Sequence, residues 1–156
     1  MKHTNPILCA LLVSCLAAPV YAAPSSSWGK NDKMSSVETK LDAKQYQSAI
    51  DELETIVAKD ANNADAYNLL GFSNRKLKRY DIAEDYYHQA LRLDPKHKGA
   101  MEYLGELYVE TDRMDEAQEM LSRLDKACFM GCSEYRQLKT MIKNKQQGLA
   151  TSSSWE

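Results

Sequence analysis

Cys128 and Cys132 are the residues of this chain whose type and spacing are best suited to covalent chemistry, and they lie in the sequence CFMGC. In an oxidising compartment, an isolated and closely spaced pair of cysteines is most simply a disulfide. Gly131 can adopt the left-handed conformation that ends a helix, so the bond would fix the angle of the helix that follows. The chain-entropy model assigns about 2 kcal/mol to closing so small a ring. We therefore expect a structural disulfide.

Two other chemistries remain open for this pair. One is thiol redox exchange, although the usual motif has two residues between the cysteines rather than three and sits on a thioredoxin-like fold. The other is a Cu(I) site made by both thiolates and Met130, with Met114 or Met120 nearby, because thiolates and thioethers select Cu(I). Methionines at helical spacing are more often part of a core. We therefore predict no metal site and no cofactor.

The elements that must position these cysteines are helices, because the chain repeats itself every 34 residues. Small residues recur at one phase and larger side chains at others, which is typical of stacked helix pairs. Such a pair cannot bury its apolar faces alone, so neighbouring pairs share a continuous core. A mid-helix glycine costs about 1 kcal/mol, and we attribute the recurring Gly71 and Gly105 to close helix crossings. The registers are Tyr46, Tyr80 and Met114; Ala49, Ala83 and Ala117; Leu53, Tyr87 and Leu121; and Ile56, Ala90 and Leu124.

The middle unit, residues 64–97, closely resembles a tetratricopeptide repeat. The third unit, residues 98–131, keeps most of the pattern but lacks the closing proline, and the first has Ser36-Val37 where the family has Leu-Gly. The resemblance implies an all-α fold, an α-solenoid of about three helix pairs followed by a C-terminal capping helix. The matching positions of the middle unit are Tyr67, Leu70, Gly71, Tyr80, Ala83, Tyr87, Ala90 and Pro95.

The segment after the third unit is predicted to be the capping helix, with Tyr135, Leu138, Met141 and Ile142 on one face. The stretch LDKACFMGCSEYRQLKTMI is similar to the C-terminal segment of small exported bacterial tetratricopeptide proteins. Together with the repeats, this resemblance covers residues 37–145 and implies an exported adaptor rather than an enzyme.

Local signals mark the helix ends. Asp81 with Glu84 has the spacing of a capping box at the start of a second helix, and the next unit repeats that spacing with Asp115 and Gln118. The dipeptide Asp94-Pro95 is expected to end a helix.

Members of the family bind extended peptides or helices in a groove lined by their first helices. The resemblance places a basic stretch in the middle of that groove and an acidic stretch beyond it, which would complement a peptide of mixed charge. Ordinary solvated faces are the alternative. The groove residues implied by the resemblance are Asn68, Phe72, Arg75, Lys76, Glu102, Glu106, Val109 and Glu110.

Some members of the family hold a C-terminal carboxylate with a clamp of lysine and asparagine side chains. The matching positions here carry Met34, Glu38, Leu69, Gly99 and Tyr103. We therefore expect no capture of a free C-terminus of that type.

The N-terminus reads as a secretory signal peptide, with a basic start, an apolar run from Ile7 to Ala18 and a cleavage site after Ala22. The run is too short for a membrane-spanning helix, which needs about 20 apolar residues. Leu12 to Cys15 also resembles a lipobox, which would make the protein a lipoprotein anchored at Cys15. We expect attachment to a membrane only in that lipidated form. The expected divisions are a signal peptide (1–22), a flexible linker (23–33), the repeat domain (34–145) and a flexible tail (146–156).

Both predicted flexible ends contain the string SSSW, which places Trp28 in the linker and Trp155 in the tail. They read as solvated ends, or alternatively as paired tryptophans for a partner.

Charge and motifs limit the function. The formal net charge of −2 and the lack of a basic domain argue against nucleic acid as a partner. The sequence contains no Ser-His-Asp grouping, phosphate loop or metal-ligand cluster, so we expect no catalytic residues and no enzyme. The predicted function is a periplasmic adaptor that binds a peptide or helix of a cell-envelope protein. The alternative is a periplasmic protein that handles thiols or Cu(I), and the oligomeric state stays open.

Overall fold

The computed structural model describes residues 32–129, 131–149 and 151. These residues form seven α-helices and no strands, which confirms the predicted all-α class. The helices are α1 (Asp32–Asp42), α2 (Tyr46–Lys59), α3 (Ala64–Lys76), α4 (Tyr80–Leu93), α5 (Lys98–Glu110), α6 (Met114–Ala127) and α7 (Ser133–Gln146).

Consecutive helices pack against each other as pairs, and the pairs stack. α5 also packs against α3 on one side and α7 on the other, so these three helices lie side by side. One group of buried side chains joins α4 to α7, and a second joins α1 to α3. The predicted solenoid is therefore present, and α1 belongs to it although its sequence is the most degenerate.

The two mid-helix glycines stand at close helix crossings, as the period predicts. A Cβ atom on Gly71 would lie 2.6 Å from two ring carbons of Tyr87, which is fully buried. A Cβ on Gly105 would collide with the δ-methyl groups of Leu138, on α7. Because both neighbours are buried, neither can move aside freely.

The turn inside each helix pair uses a residue with left-handed backbone at the same place in the repeat. Lys44, Lys78 and Asp112 have φ values of 56°, 60° and 61°. After Lys78, the backbone N–H of Arg79 donates to the carbonyl of Asn74, and equivalent bonds close the other two turns. This geometry ends one helix and starts the next, and it is usually given to glycine.

The turn between pairs is held by side chains in the first two units. Asp60 and Asp94 each follow a second helix and accept a hydrogen bond from the backbone N–H two residues further on. Asn63 and His97 then cap the next helix by accepting from the backbone N–H three residues ahead. The sequence Asp94-Pro95 ends α4 as predicted, since α4 stops at Leu93.

The third turn of this kind carries the cysteines instead. Cys128 stands one 34-residue period after Asp94, and the structure joins it to Cys132 as a disulfide, with the Cα atoms 5.5 Å apart. Cys132 precedes α7 without a side-chain cap, and Gly131 has φ of 81°. The disulfide thus occupies the place where an aspartate and a side-chain cap secure the earlier turns.

The capping-box prediction is wrong. α4 begins at Tyr80 after Arg79, with no side-chain cap, so Asp81 already lies in the first turn. Glu84 accepts instead from Arg113 and from the hydroxyl of Tyr108, on the following pair. A second helix thus begins directly after the tight turn, and α6, like α4, begins without a side-chain cap.

Several predictions lie outside the described residues, namely the signal peptide, the lipobox cysteine Cys15, most of the linker and tail, and both tryptophans. Of the linker, Asp32 and Lys33 already belong to α1, and α7 ends one residue beyond the predicted boundary at 145. Within the described ranges, every helix is too short or too polar to cross a bilayer.

Candidate functional site

The capping helix continues the groove that the repeats begin. Leu70, Leu104 and Leu138 are spaced by 34 residues and are all fully buried, so α7 occupies the place of a fourth first helix. The predicted site stopped at Glu110 and missed the groove residues of α7. The signal that could have found them is the period itself, because Asn68, Glu102 and Arg136 share one register. We call the surface of α3, α5 and α7 that carries these three residues the groove.

The predicted separation of charge along the groove is wrong. Arg75 donates to Glu106 at 2.7 Å and to Glu110 at 2.5 Å, so the central base and the acids beyond it pair with each other. The side chains of Arg75 and Glu106 are 1% and 2% exposed, whereas that of Glu110 is 25% exposed. Burial raises the pKa of Glu106, and the charge of Arg75 opposes that rise. Arg75 and Glu106 therefore neutralise each other at the base of the groove and do not offer separate basic and acidic surfaces to a partner.

The predicted groove aromatic is also not open to a partner. Phe72 is only 6% exposed and packs edge-on against Tyr46 and at 5.2 Å, centroid to centroid, against Tyr103. The guanidinium of Arg75 and the ammonium of Lys76 lie within 5.8 Å of the Phe72 ring. Phe72 is therefore a structural residue beneath the groove, and its removal would destabilise the packing of the helices rather than weaken the binding of a ligand.

Val109 is fully buried in the apolar core and does not line the groove. Lys76 is partly exposed at the end of α3. Of the eight predicted positions, only Lys76 and Glu110 offer substantial surface, because the others are buried. The repeat register alone does not tell an exposed groove position from a buried one, because exposure depends on which side chains pack against the residue.

Two buried acceptors of the groove have no hydrogen-bond partner within the part of the chain that the structure describes. They are Oδ1 of Asn68 and Oε1 of Glu102, on residues that are 6% and 4% exposed. Burial, together with the negative charges of Glu106 and Glu134, raises the pKa of Glu102 to about 8. An unpaired buried acceptor is costly, so these atoms mark where a donor would gain most.

A recess of about 300 Å³ opens between α5 and α7, next to this part of the groove. Glu106 and Met141 are its buried members, whereas Arg136 and Thr140 are exposed. The walls thus offer a cation, hydroxyls and amides around a small apolar base, which suits polar peptide groups. The lining residues are Glu106, Ser133, Arg136, Gln137, Thr140, Met141 and Asn144.

The Cu(I) alternative for the cysteines depends on the methionines near them. Met120 is buried in the core and Met114 packs against it, while Met130 lies outside the described residues. In the described ranges, no three His, Cys, Asp or Glu side chains are grouped so as to hold a metal ion. The methionines on α6 are thus core residues, as their helical spacing favours.

Part of the chain matches a known family model. Residues 75–142 match the family model described as tetratricopeptide repeat. A DnaJ protein P58IPK homolog of Arabidopsis thaliana is 38% identical over 65 residues, which are 42% of this chain and 14% of that protein. A homolog B from Oryza sativa is 29% identical over 97 residues, 62% of this chain and 18% of that one. This chain therefore matches only a small part of these relatives.

Solved structures show the same fold. The first tetratricopeptide domain of Spaghetti (RPAP3), bound to an HSP90 peptide, has a TM-score of 0.66 at 16% identity, over 75% of this chain and 90% of that one. The Yersinia enterocolitica secretion chaperone SycD, in complex with a peptide of the translocator YopD, has a TM-score of 0.64 at 16% identity, over 75% and 88%. At this identity the likeness establishes the architecture.

Proposed function

This chain is built from tetratricopeptide repeats, and we propose that it is an exported, non-enzymatic adaptor that binds a segment of another protein in its groove. The observation that carries the proposal is the pair of buried, unpartnered acceptors on α3 and α5 beside an open recess against α7. Donors from a bound chain would satisfy these acceptors, and the recess would receive its side chains.

The structural neighbours support this kind of binding, because their solved forms include complexes with peptides of HSP90 and of a translocator. The positions of the carboxylate clamp carry other residues in this chain, among them Leu69, Gly99 and Tyr103. We therefore propose that the partner is held through an internal segment and not through its free C-terminus.

A site-specific crosslink tests the binding surface. A photoreactive residue replaces Thr140, which is exposed in the recess, or Glu119, which is exposed on α6 away from it. We expect an adduct with one discrete protein in the native host from position 140 and none from position 119. Equal adducts from both positions, or none from either, would contradict a groove-binding adaptor.

We propose a periplasmic location, with the signal peptide removed after Ala22. The disulfide of the structure agrees with an oxidising compartment, where such bonds persist. Mass measurement of the protein released by osmotic shock should give a chain that starts at Ala23. A membrane-bound chain that starts at a lipidated Cys15 would replace soluble export with the lipoprotein form.

A further inference from the structure

Three residues at one repeat position form a polar ladder across the groove. Asn68 on α3, Glu102 on α5 and Arg136 on α7 follow one another at intervals of 34 residues, and these three helices lie side by side. Packed helices stand about 8–10 Å apart. An extended chain advances about 3.3 Å per residue, so a segment crossing the groove meets one rung about every three residues.

The three residues of the ladder would bind different chemical groups. Asn68 holds an unpartnered amide oxygen beneath the surface of the groove, and a backbone N–H of the segment would satisfy it, whatever the sequence, once this side chain turns outward. Glu102 holds an unpartnered carboxyl oxygen that is almost fully buried, so a basic side chain of the segment would meet it once the carboxyl turns towards the groove. Arg136 is exposed on the wall of the recess and can receive a carboxylate.

The neighbouring base, Arg75, offsets the charge of Glu102 only in part. Arg75 directs its two terminal nitrogens to Glu106 and Glu110, so its guanidinium is already shared by two carboxylates. The other charges near Glu102 are those of Glu106 and Glu134, which are acidic as well. Because its pKa is raised to about 8, Glu102 is mostly protonated at neutral pH, and a cation brought by a ligand would pair the unpartnered oxygen and favour the charged carboxylate.

We propose that the groove selects an extended segment of a partner protein in which a lysine or arginine, placed at Glu102, lies about three residues from an aspartate or glutamate, placed at Arg136. This selectivity rests on the proposed function and specifies its ligand. The order of charges fixes the direction of the bound segment, because reversing the segment would bring like charges together at both rungs.

Selection from a library of displayed random twelve-residue peptides tests the proposal on the full chain. We expect peptides enriched with the wild-type chain to carry a basic and an acidic residue about three positions apart. The variant Arg136→Glu should replace the acidic position by a basic one and leave the first basic position unchanged. The matched variant Arg92→Glu, at an exposed site on α4, should select the same peptides as wild type.

Affinity measured by fluorescence anisotropy with the most enriched peptide gives the size of the effect. Arg136→Glu should weaken binding about tenfold or more, and Arg92→Glu less than twofold. Two results would contradict the charge-pair inference and leave the proposed function standing. In the first, peptides selected with the wild-type chain compete with the crosslink at position 140 but show no charge spacing. In the second, the variant Arg136→Glu selects the same peptide pattern as the wild-type chain. If no enriched peptide competes with that crosslink, the groove does not hold a segment of this kind, and the absence of a crosslink at position 140 would overturn the proposed function as well.

Discussion

Arg75 on α3 donates to Glu106 on α5 at 2.7 Å, and the two side chains retain only 1% and 2% of their surface in solvent. Glu110, one turn further along α5, takes a second nitrogen of the same guanidinium. This pair ties two neighbouring repeats together beneath the groove. Because the pair is buried, removing one partner is expected to lower the stability of the fold by more than the intact pair contributes to it.

Removing one partner of this pair should be costly. The variant Arg75→Met leaves Glu106 buried without its cation, and we expect the free energy of unfolding to fall by about 3–5 kcal/mol, measured by urea denaturation. Arg113→Met is the matched control, because Arg113 is 40% exposed where it pairs with Glu84, and it should cost about 1 kcal/mol or less. Equal losses in the two variants would show that the buried pair has no special role.

Glu102 should make stability depend on pH. Its pKa is raised to about 8 in the folded chain from an ordinary value of 4.5, so between these values the folded state binds more protons than the unfolded state. Stability therefore falls as the pH rises from about 4.5 to 8 and levels off above that. Glu102→Gln removes this loss, and we expect it to be more stable than wild type at pH 8 by about 1–3 kcal/mol.

The control for this prediction is Glu119→Gln, the same substitution at an exposed site of α6. Thermal unfolding of the three proteins between pH 5 and 8 gives the comparison. The pH-dependent difference should appear only for the Glu102 variant. If the stability difference between Glu102→Gln and wild type were the same at every pH, its cause would be packing rather than protonation of Glu102.

Gly71 should resist even the smallest side chain. In Gly71→Ala the new methyl group would meet the buried ring of Tyr87, so we expect a loss of about 1–3 kcal/mol despite the better helix propensity of alanine. Gly99→Ala is a milder change, because its Cβ would lie 3.2 Å from the side-chain nitrogen of Asn68. Denaturant midpoints should rank Gly71→Ala well below Gly99→Ala, and the reverse order would contradict a steric role for Gly71.

Lys78 offers a route to a more stable array. Its φ of 60° is unfavourable for a side chain and natural for glycine, so Lys78→Gly should raise stability by about 0.5–1 kcal/mol. Lys126→Gly, at an exposed helical position in α6, should instead lower it by a similar amount. Melting temperatures of the two variants should thus move in opposite directions, and a decrease in both would refute the relief of strain.

The disulfide should stabilise α7 rather than perform chemistry. Replacing Cys128 and Cys132 by serine should lower the free energy of unfolding by about 2 kcal/mol, with the earliest loss of amide protection in α7. Binding of the selected peptide at saturating protein should persist, since the rungs are unchanged. Stoichiometric Cu(I) uptake by the reduced protein, lost in the serine variant, would favour the alternative function.

Part of the groove could be predicted from the amino-acid sequence alone. The 34-residue period predicted the helix pairs and the close crossings at Gly71 and Gly105, because steric demand recurs wherever the same two helices meet. The same period extended by one step points to Arg136, which the site predicted from sequence did not include. Periodic position is a local property of the chain, so sequence reports it directly.

Only the tertiary structure decided which groove residues are open. Phe72 and Arg75 occupy groove positions by register, yet one packs between tyrosines and the other is held by two carboxylates from the next first helix. Likewise, Glu84 has capping-box spacing but bonds across to Arg113. The sequence alone determined the repeat and its helices, because they follow from local spacing. The exposure and charge state of each side chain depend on partners distant in the chain, and packing alone brings those partners together.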